Sequence, residues 1–107
     1  MREVKSYSEA GGQILFGTDV GFLTDYDAMA QEVSLLAQSG LTFPQILASL
    51  TTAPAARFGS KTNSGQLSVG AEADLVVLKG DPAEDIKALT RVQSTIRAGK
   101  VIYQAPR

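Results

Sequence analysis

The chain has 107 residues, a net charge of −1, and neither histidine nor cysteine. This length corresponds to one small domain or to a piece of a larger one. The near-neutral charge gives no electrostatic basis for binding nucleic acid, and no basic amphipathic or long apolar segment predicts a membrane partner. Without cysteine or histidine the chain cannot build a disulfide, a thiolate site or a Ser-His-Asp or Cys-His catalytic centre. We therefore expect a soluble, cytoplasmic protein.

The first 59 residues are patterned mainly as helices. A first helix is predicted over Met1–Ala10, stopped by Gly11-Gly12, and the apolar run Ile14–Thr18 predicts a buried strand. Apolar residues at helical spacing then predict three helices. These cover Met29–Ala37, ended by Gly40; Phe43–Leu50, with a capping box formed by Thr42 and Gln45; and Ala53–Phe58. The predicted buried stripe of the second of these helices consists of Phe43, Ile46, Leu47 and Leu50.

From Ser60 the pattern changes to short strands and turns. Strands are predicted over Ala73–Leu78 and Val92–Ile96, with a turn at Gly80-Asp81-Pro82 and one helical turn around Ile86 and Leu89. Ala98-Gly99-Lys100 predicts a tight turn that folds Val101–Tyr103 back as a hairpin. We therefore divide the chain into residues 1–59 and residues 60–107.

Asp19 is the first candidate for a functional residue. It follows the predicted strand Ile14–Thr18 and lies between Gly17 and Gly21. In parallel α/β sheets and barrels the carboxyl end of a strand is where ligands bind. An ordinary turn capped by Asp19 explains the same residues equally well. A lone strand leaves its backbone groups unpaired, so the predicted first part also lacks sheet partners.

A series of short motifs runs along nearly the whole chain. The motifs are ILFGTD at 14–19, the helix Met29–Ala37, LTTAPA at 50–55, GQL at 65–67, VG at 69–70, ADLVVL at 73–78, DP at 81–82 and GKVIY at 99–103. Taken together and in this order, the motifs resemble those at the C-terminal end of a metal-dependent amidohydrolase of the imidazolonepropionase-like type. The resemblance implies an α/β fold, namely the C-terminal piece of a (β/α)8 TIM barrel followed by part of a small β-sandwich. Met1–Ala10 would be the end of the seventh barrel helix and Ile14–Thr18 the eighth strand, while residues from about 65 would belong to the sandwich.

The resemblance also implies a chemistry for Asp19. Its position matches an acid that binds metal and takes part in proton transfer, so Asp19 is the predicted catalytic residue and metal ligand. The family's other ligands are histidines and a lysine or glutamate on earlier strands, and they do not lie in this chain. A divalent metal such as zinc would activate water in the complete enzyme, which would attack a cyclic amide or other non-peptide carbon–nitrogen bond of a small molecule. The chain alone is expected to hold no metal and to be inactive.

Two further residues follow Asp19 on the same predicted loop. Asp25 can contact substrate or cap the next helix, and Tyr26 can line a substrate pocket or pack on the loop. We expect Asp74 and Asp81 to be structural. An alternative to the hydrolase is a small non-catalytic α/β binding or scaffolding module, in which Asp19 is only a cap.

Unpaired apolar strand edges predict self-association. The predicted strand Ile14–Thr18 and the predicted sandwich strands Ala73–Leu78 and Val92–Ile96 lack neighbours in this chain. Exposed edges are templates for pairing with another chain. We therefore expect a homodimer or higher oligomer whose interface involves Ile14–Thr18 or the sandwich strands.

Overall fold

The computed structural model describes residues 2–17, 28–59 and 64–107 as a set of helices followed by an antiparallel sheet. In chain order the elements are α1 (Arg2–Glu9), α2 (Ala28–Gln38), α3 (Phe43–Leu50), α4 (Thr52–Arg57), β1 (Leu75–Leu78), a 3-10 helix (Ile86–Thr90), β2 (Val92–Arg97) and β3 (Lys100–Gln104). The predicted sequence of helices, strands and turns is therefore confirmed for most of the chain. None of the described helices is long and apolar enough to cross a bilayer.

Glycine ends α1 and α2 as predicted. Gly40 has a φ of +104°, and its N–H donates to the carbonyl of Ala37 while the next N–H, of Leu41, donates to Leu36. Gly11 closes α1 in the same way. This pair of hydrogen bonds is the Schellman motif, which needs a residue that tolerates positive φ. The motif turns the chain sharply after α2 and buries Leu41.

The predicted capping box starts α3. The backbone N–H of Thr42 donates to Gln45 Oε1 over 2.8 Å, and the N–H of Gln45 donates to the Thr42 hydroxyl over 3.4 Å. The predicted buried stripe of α3 is only partly correct. Ile46 is fully buried, but Leu47 and Leu50 are each 37% exposed. Ser49 is buried together with Ile46 instead, and α3 packs on α2 and α4.

The prediction of a strand at Ile14–Thr18 is wrong for its described part. Residues 14–17 pair with no strand of the described chain. A strand exists only where a neighbour supplies its ladder, and the three described strands pair among themselves. The N–H of Phe16 instead donates to the carbonyl of Ser49, at the C-terminal turn of α3, over 3.0 Å.

The three strands form an antiparallel sheet in the order β1-β2-β3. The predicted hairpin between β2 and β3 is confirmed, with Arg97 opposite Lys100 and positive φ at both Ala98 and Gly99. Two successive positive φ values define the type I′ turn that matches the twist of paired strands. Asp74 is structural as expected, because its carboxylate accepts the N–H of Ala98 over 2.8 Å. A second sheet, which a sandwich requires, is not formed by the described residues.

The helices and the sheet meet at α2. Val33 of α2 and Ala88 of the 3-10 helix are buried, at 2% and 0% exposure, where the two helices pack together. Among the described residues the remaining buried apolar side chains are Leu41, Ile46 and Ala105. The core is therefore small, and it joins the predicted first part of the chain to the second through α2.

Candidate functional site

The three predicted site residues lie outside the described part of the chain. Asp19, Asp25 and Tyr26 fall within residues 18–27. The structure describes the two flanks of this stretch, which are residues 12–17 before it and α2 after it. Their roles therefore stay predictions, and the site is described from its flanks.

The flank that precedes Asp19 in sequence is attached to the helices at two points. At its start, the N–H of Gly12 donates to the carbonyl of Tyr7 over 2.8 Å. The ring of Tyr7 occupies the space that a Cβ on Gly12 would need, so glycine permits this close approach. Four residues later, Phe16 donates to the carbonyl of Ser49.

Ser49 is the anchor that the sequence analysis did not single out. It is 1% exposed, and its hydroxyl donates to the carbonyl of Ile46 over 2.6 Å. Its own carbonyl belongs to the last turn of α3, where carbonyls lack intrahelical partners, and Phe16 satisfies it. The sequence signal was the spacing of three residues from Ile46, which places Ser49 on the same helix face.

A small groove of about 190 Å³ lies between this flank and α3. The side chain of Gln45 crosses part of it, with Nε2 donating to the Ser8 hydroxyl over 3.4 Å. The groove is lined by Ser8, Gly12, Gln13, Ile14, Leu41, Gln45, Ala48, Ser49 and Ala53. None of these side chains titrates near neutral pH, so the groove can offer hydrogen bonds but no general acid or base.

A wider open groove of about 650 Å³ lies at the sheet, and its charged groups are cationic. It is lined by Lys79, Thr90, Arg91, Val92, Thr95, Tyr103, Ala105 and Pro106. Arg91 forms an ion pair of 2.9 Å with Asp85. The backbone N–H of Lys87 and the Arg91 guanidinium lower the pKa of Asp85. Asp85 therefore has a structural role, since it caps the 3-10 helix and pairs with Arg91, and it is not among the residues that line the groove.

The residues that the structure describes do not by themselves build a site for a divalent metal. The described part contains no group of three or more acidic side chains that could surround an ion. Because the chain has no histidine or cysteine, its ligands are limited to oxygen donors. Ligands for a metal at Asp19 therefore do not come from an acidic cluster in the described part of the chain.

The helices, the hairpin and the segment leading to Asp19 have counterparts in a known family. The sequence profile of the amidohydrolase family matches residues 2–103. The chain therefore belongs to the amidohydrolase family, and the predicted resemblance to amidohydrolases is confirmed.

Solved structures agree with this membership. An Xaa-Pro dipeptidase with methionine bound in its active site is 28% identical, with a TM-score of 0.83 over 96% of this chain and 25% of that one. A putative prolidase from Bifidobacterium longum is 32% identical, with a TM-score of 0.82 over 97% of this chain and 26% of that one. A prolidase complexed with N-methylphosphonate-L-proline has the same identity, TM-score and coverage. A comparison with curated proteins found no match.

The chain spans about a quarter of the length of the solved structures that it matches. Its α/β fold is thus the fold of a quarter of an amidohydrolase. The TIM-barrel and sandwich assignments of residues 1–59 and 60–107 remain predictions.

Proposed function

We propose that this chain supplies the C-terminal part of a metal-dependent hydrolase that cleaves carbon–nitrogen bonds. The observation that carries the proposal is the amidohydrolase family match, which runs through residues 2–103 and includes the motif ending in Asp19. The prolidase-like solved structures support hydrolase character. The scaffolding alternative gains no support from a specific observation.

In this proposal Asp19 contributes the one catalytic carboxylate of the chain. A carboxylate can bind a divalent metal through its oxygens, and it can accept a proton from water and pass it to a leaving nitrogen. The anchoring of Phe16 on Ser49 supports the role, because it attaches the segment that precedes Asp19 to a buried residue of α3. Asp25 and Tyr26 are the proposed substrate contacts on the same stretch.

The solved structures that this chain resembles suggest a substrate class. Structures named Xaa-Pro dipeptidase and prolidase support a dipeptide in which the cleaved bond involves the nitrogen of proline. A cyclic amide or another non-peptide carbon–nitrogen bond is the second substrate class, which follows from the resemblance. A competition assay with an Xaa-Pro dipeptide and a cyclic amide would show which of the two substrates the complete enzyme hydrolyses more efficiently.

Zinc binding and hydrolysis by the 107-residue chain alone test whether it lacks a complete active site, as the proposal requires. After dialysis against buffer, elemental analysis is expected to find zinc well below one equivalent, because a single carboxylate cannot hold the ion against water. Xaa-Pro dipeptide hydrolysis with added zinc is expected to stay at the rate of a buffer blank. Stoichiometric zinc that is lost in Asp19→Ala would show that the chain builds a complete site of its own.

A further inference from the structure

The C-terminal turn of α3 holds a distant segment of the chain through one backbone carbonyl. The last four carbonyls of a helix lack intrahelical partners. In α3 the Thr51 hydroxyl donates to the carbonyl of Leu47 over 2.7 Å, and the Thr51 N–H donates to the carbonyl of Ala48 over 3.2 Å. The carbonyl of Ser49 instead accepts from the N–H of Phe16 over 3.0 Å. The Ser49 carbonyl is therefore the point at which this turn holds the flank that precedes Asp19 (residues 12–17).

The side chain of Ser49 is suited to this contact because it is small and its hydrogen is already donated. Ser49 is 1% exposed, and its hydroxyl donates back to the carbonyl of Ile46 over 2.6 Å. The groove of about 190 Å³ between α3 and the flank is lined by Ser49 together with Gly12 and Ile14. A larger side chain at position 49 would have to enter this space, and it would move the flank away from α3.

The flank has little freedom to absorb such a shift, because its other end is held as well. The N–H of Gly12 donates to the carbonyl of Tyr7, and a Cβ on Gly12 would lie 2.3 Å from the Tyr7 ring. Two Cα atoms that are three residues apart in sequence lie within about 11 Å of each other. The location of Phe16 therefore restricts where Asp19 can lie.

From these observations we propose that Ser49 is a positioning residue for the reaction, which places the Asp19 carboxylate by holding Phe16 against the end of α3. This inference rests on the proposed function, since it takes Asp19 as the catalytic carboxylate. Ser49 itself contacts neither substrate nor the reacting atoms in this proposal. Its contribution is the placement of the flank, and this depends on the size of its side chain and on its carbonyl.

The proposal predicts a loss of turnover rather than a loss of substrate binding. A misplacement of about 1 Å, caused by a substitution far from the reacting atoms, can cost about a hundredfold in rate. We therefore expect Ser49→Leu to lower kcat by about tenfold to a hundredfold. KM should stay within about threefold of the wild-type value, because a group that acts only in the transition state affects kcat and kcat/KM equally.

The test uses a complete enzyme, in which residues 1–107 are grafted into the prolidase-like protein from Bifidobacterium longum and an Xaa-Pro dipeptide is the substrate. Ser49→Leu is the disruptive variant and Ser49→Ala the conservative one. Ser94→Leu is the matched control, because Ser94 is a buried serine of β2, 9% exposed. Phe16→Pro removes the same hydrogen bond from its other end, since proline has no N–H. Circular dichroism checks folding, and Phe16→Pro decides if Ser49→Leu does not fold.

Two readouts separate placement of the flank from general stability. By hydrogen-exchange mass spectrometry, the peptide that contains Phe16 should exchange faster in Ser49→Leu than in Ser49→Ala or Ser94→Leu. Ser49→Ala and folded Ser94→Leu should keep kcat within about threefold of the wild type, since neither fills the groove beside the flank. Combining Ser49→Leu with Phe16→Pro should cost little more than either alone, because both remove one contact.

The outcomes distinguish this inference from the proposed function. An unchanged kcat in folded Ser49→Leu and Phe16→Pro, with Asp19→Asn inactive, would overturn the positioning role and leave the proposed function standing. An effect on KM alone, or an equal loss of kcat in Ser94→Leu, would also overturn the positioning role. Turnover retained by folded Asp19→Asn would overturn the proposed function, and the role of Ser49 with it.

Discussion

Ile46→Ala should destabilise the chain far more than Leu47→Ala, although the two residues are neighbours on α3. Ile46 is fully buried, whereas Leu47 is 37% exposed. Truncating Ile46 removes three buried carbons and leaves a cavity, which costs about 2–5 kcal/mol. Truncating Leu47 removes a partly hydrated side chain and leaves no closed cavity, so we expect a cost of roughly 1 kcal/mol.

The assays are urea denaturation and thermal denaturation, each monitored by circular dichroism. All proteins are compared at one concentration, because the stability of any self-associating protein depends on concentration. A loss of 2 kcal/mol or more, taken with about 4–8 °C per kcal/mol for a domain of this size, should lower the melting temperature of Ile46→Ala by roughly 10 °C or more. Equal losses in the two variants would refute the packing described for α3.

Four further substitutions test other parts of the fold. Gly40→Ala should lower the free energy of unfolding by about 1–2 kcal/mol, because the φ of +104° is strained for alanine. Gly17→Ala should be close to neutral in the same denaturation assay, because there is open space around its Cβ. Ala98→Asn should raise stability by about 0.5 kcal/mol, since asparagine suits the positive φ of the type I′ turn; a loss would argue against that turn. The pKa of Asp85 is lowered in the folded state, so Asp85→Asn should destabilise above about pH 4 and progressively less as the pH falls below it. An NMR titration giving Asp85 an ordinary pKa would contradict this.

Local signals in the sequence predicted the parts of the fold that depend on neighbouring residues. The capping box of Thr42 and Gln45, the stop at Gly40 and the hairpin turn at Ala98-Gly99 are all confirmed. Each is decided by hydrogen bonds or by backbone angles within a few residues. Such signals act whether or not the rest of a protein is present.

Features that depend on distant partners were predicted less well. Leu50 has the periodicity of a buried residue, but the described chain leaves it 37% exposed. The apolar run at 14–17 has the composition of a strand, but no described strand lies beside it. The period of apolar residues indicates which face tends to be buried, whereas the covering partner has to come from elsewhere in the fold.

The candidate site, too, was predicted only in part from the sequence. The acid at Asp19 was found from its place after an apolar run, and its role rests on the family resemblance rather than on contacts among described residues. Its anchor, Ser49, was missed because the spacing of three residues from Ile46 predicts only a shared helix face and not the group that binds the Ser49 carbonyl. A resemblance could therefore propose the chemistry, while the attachment of the flank became visible only in three dimensions.

The most direct test of the account is the turnover number of a complete enzyme that contains this chain. A suitable form is a chimera in which residues 1–107 replace the matching quarter of the Bifidobacterium longum prolidase-like protein, assayed with an Xaa-Pro dipeptide. Asp74→Asn is the matched control, because its carboxylate serves the hairpin and not the proposed site. The account predicts that Asp19→Asn abolishes turnover while the fold, followed by circular dichroism, is kept, and that Asp74→Asn retains most of kcat. A folded Asp19→Asn chimera with a kcat near that of the parent chimera would contradict the central claim.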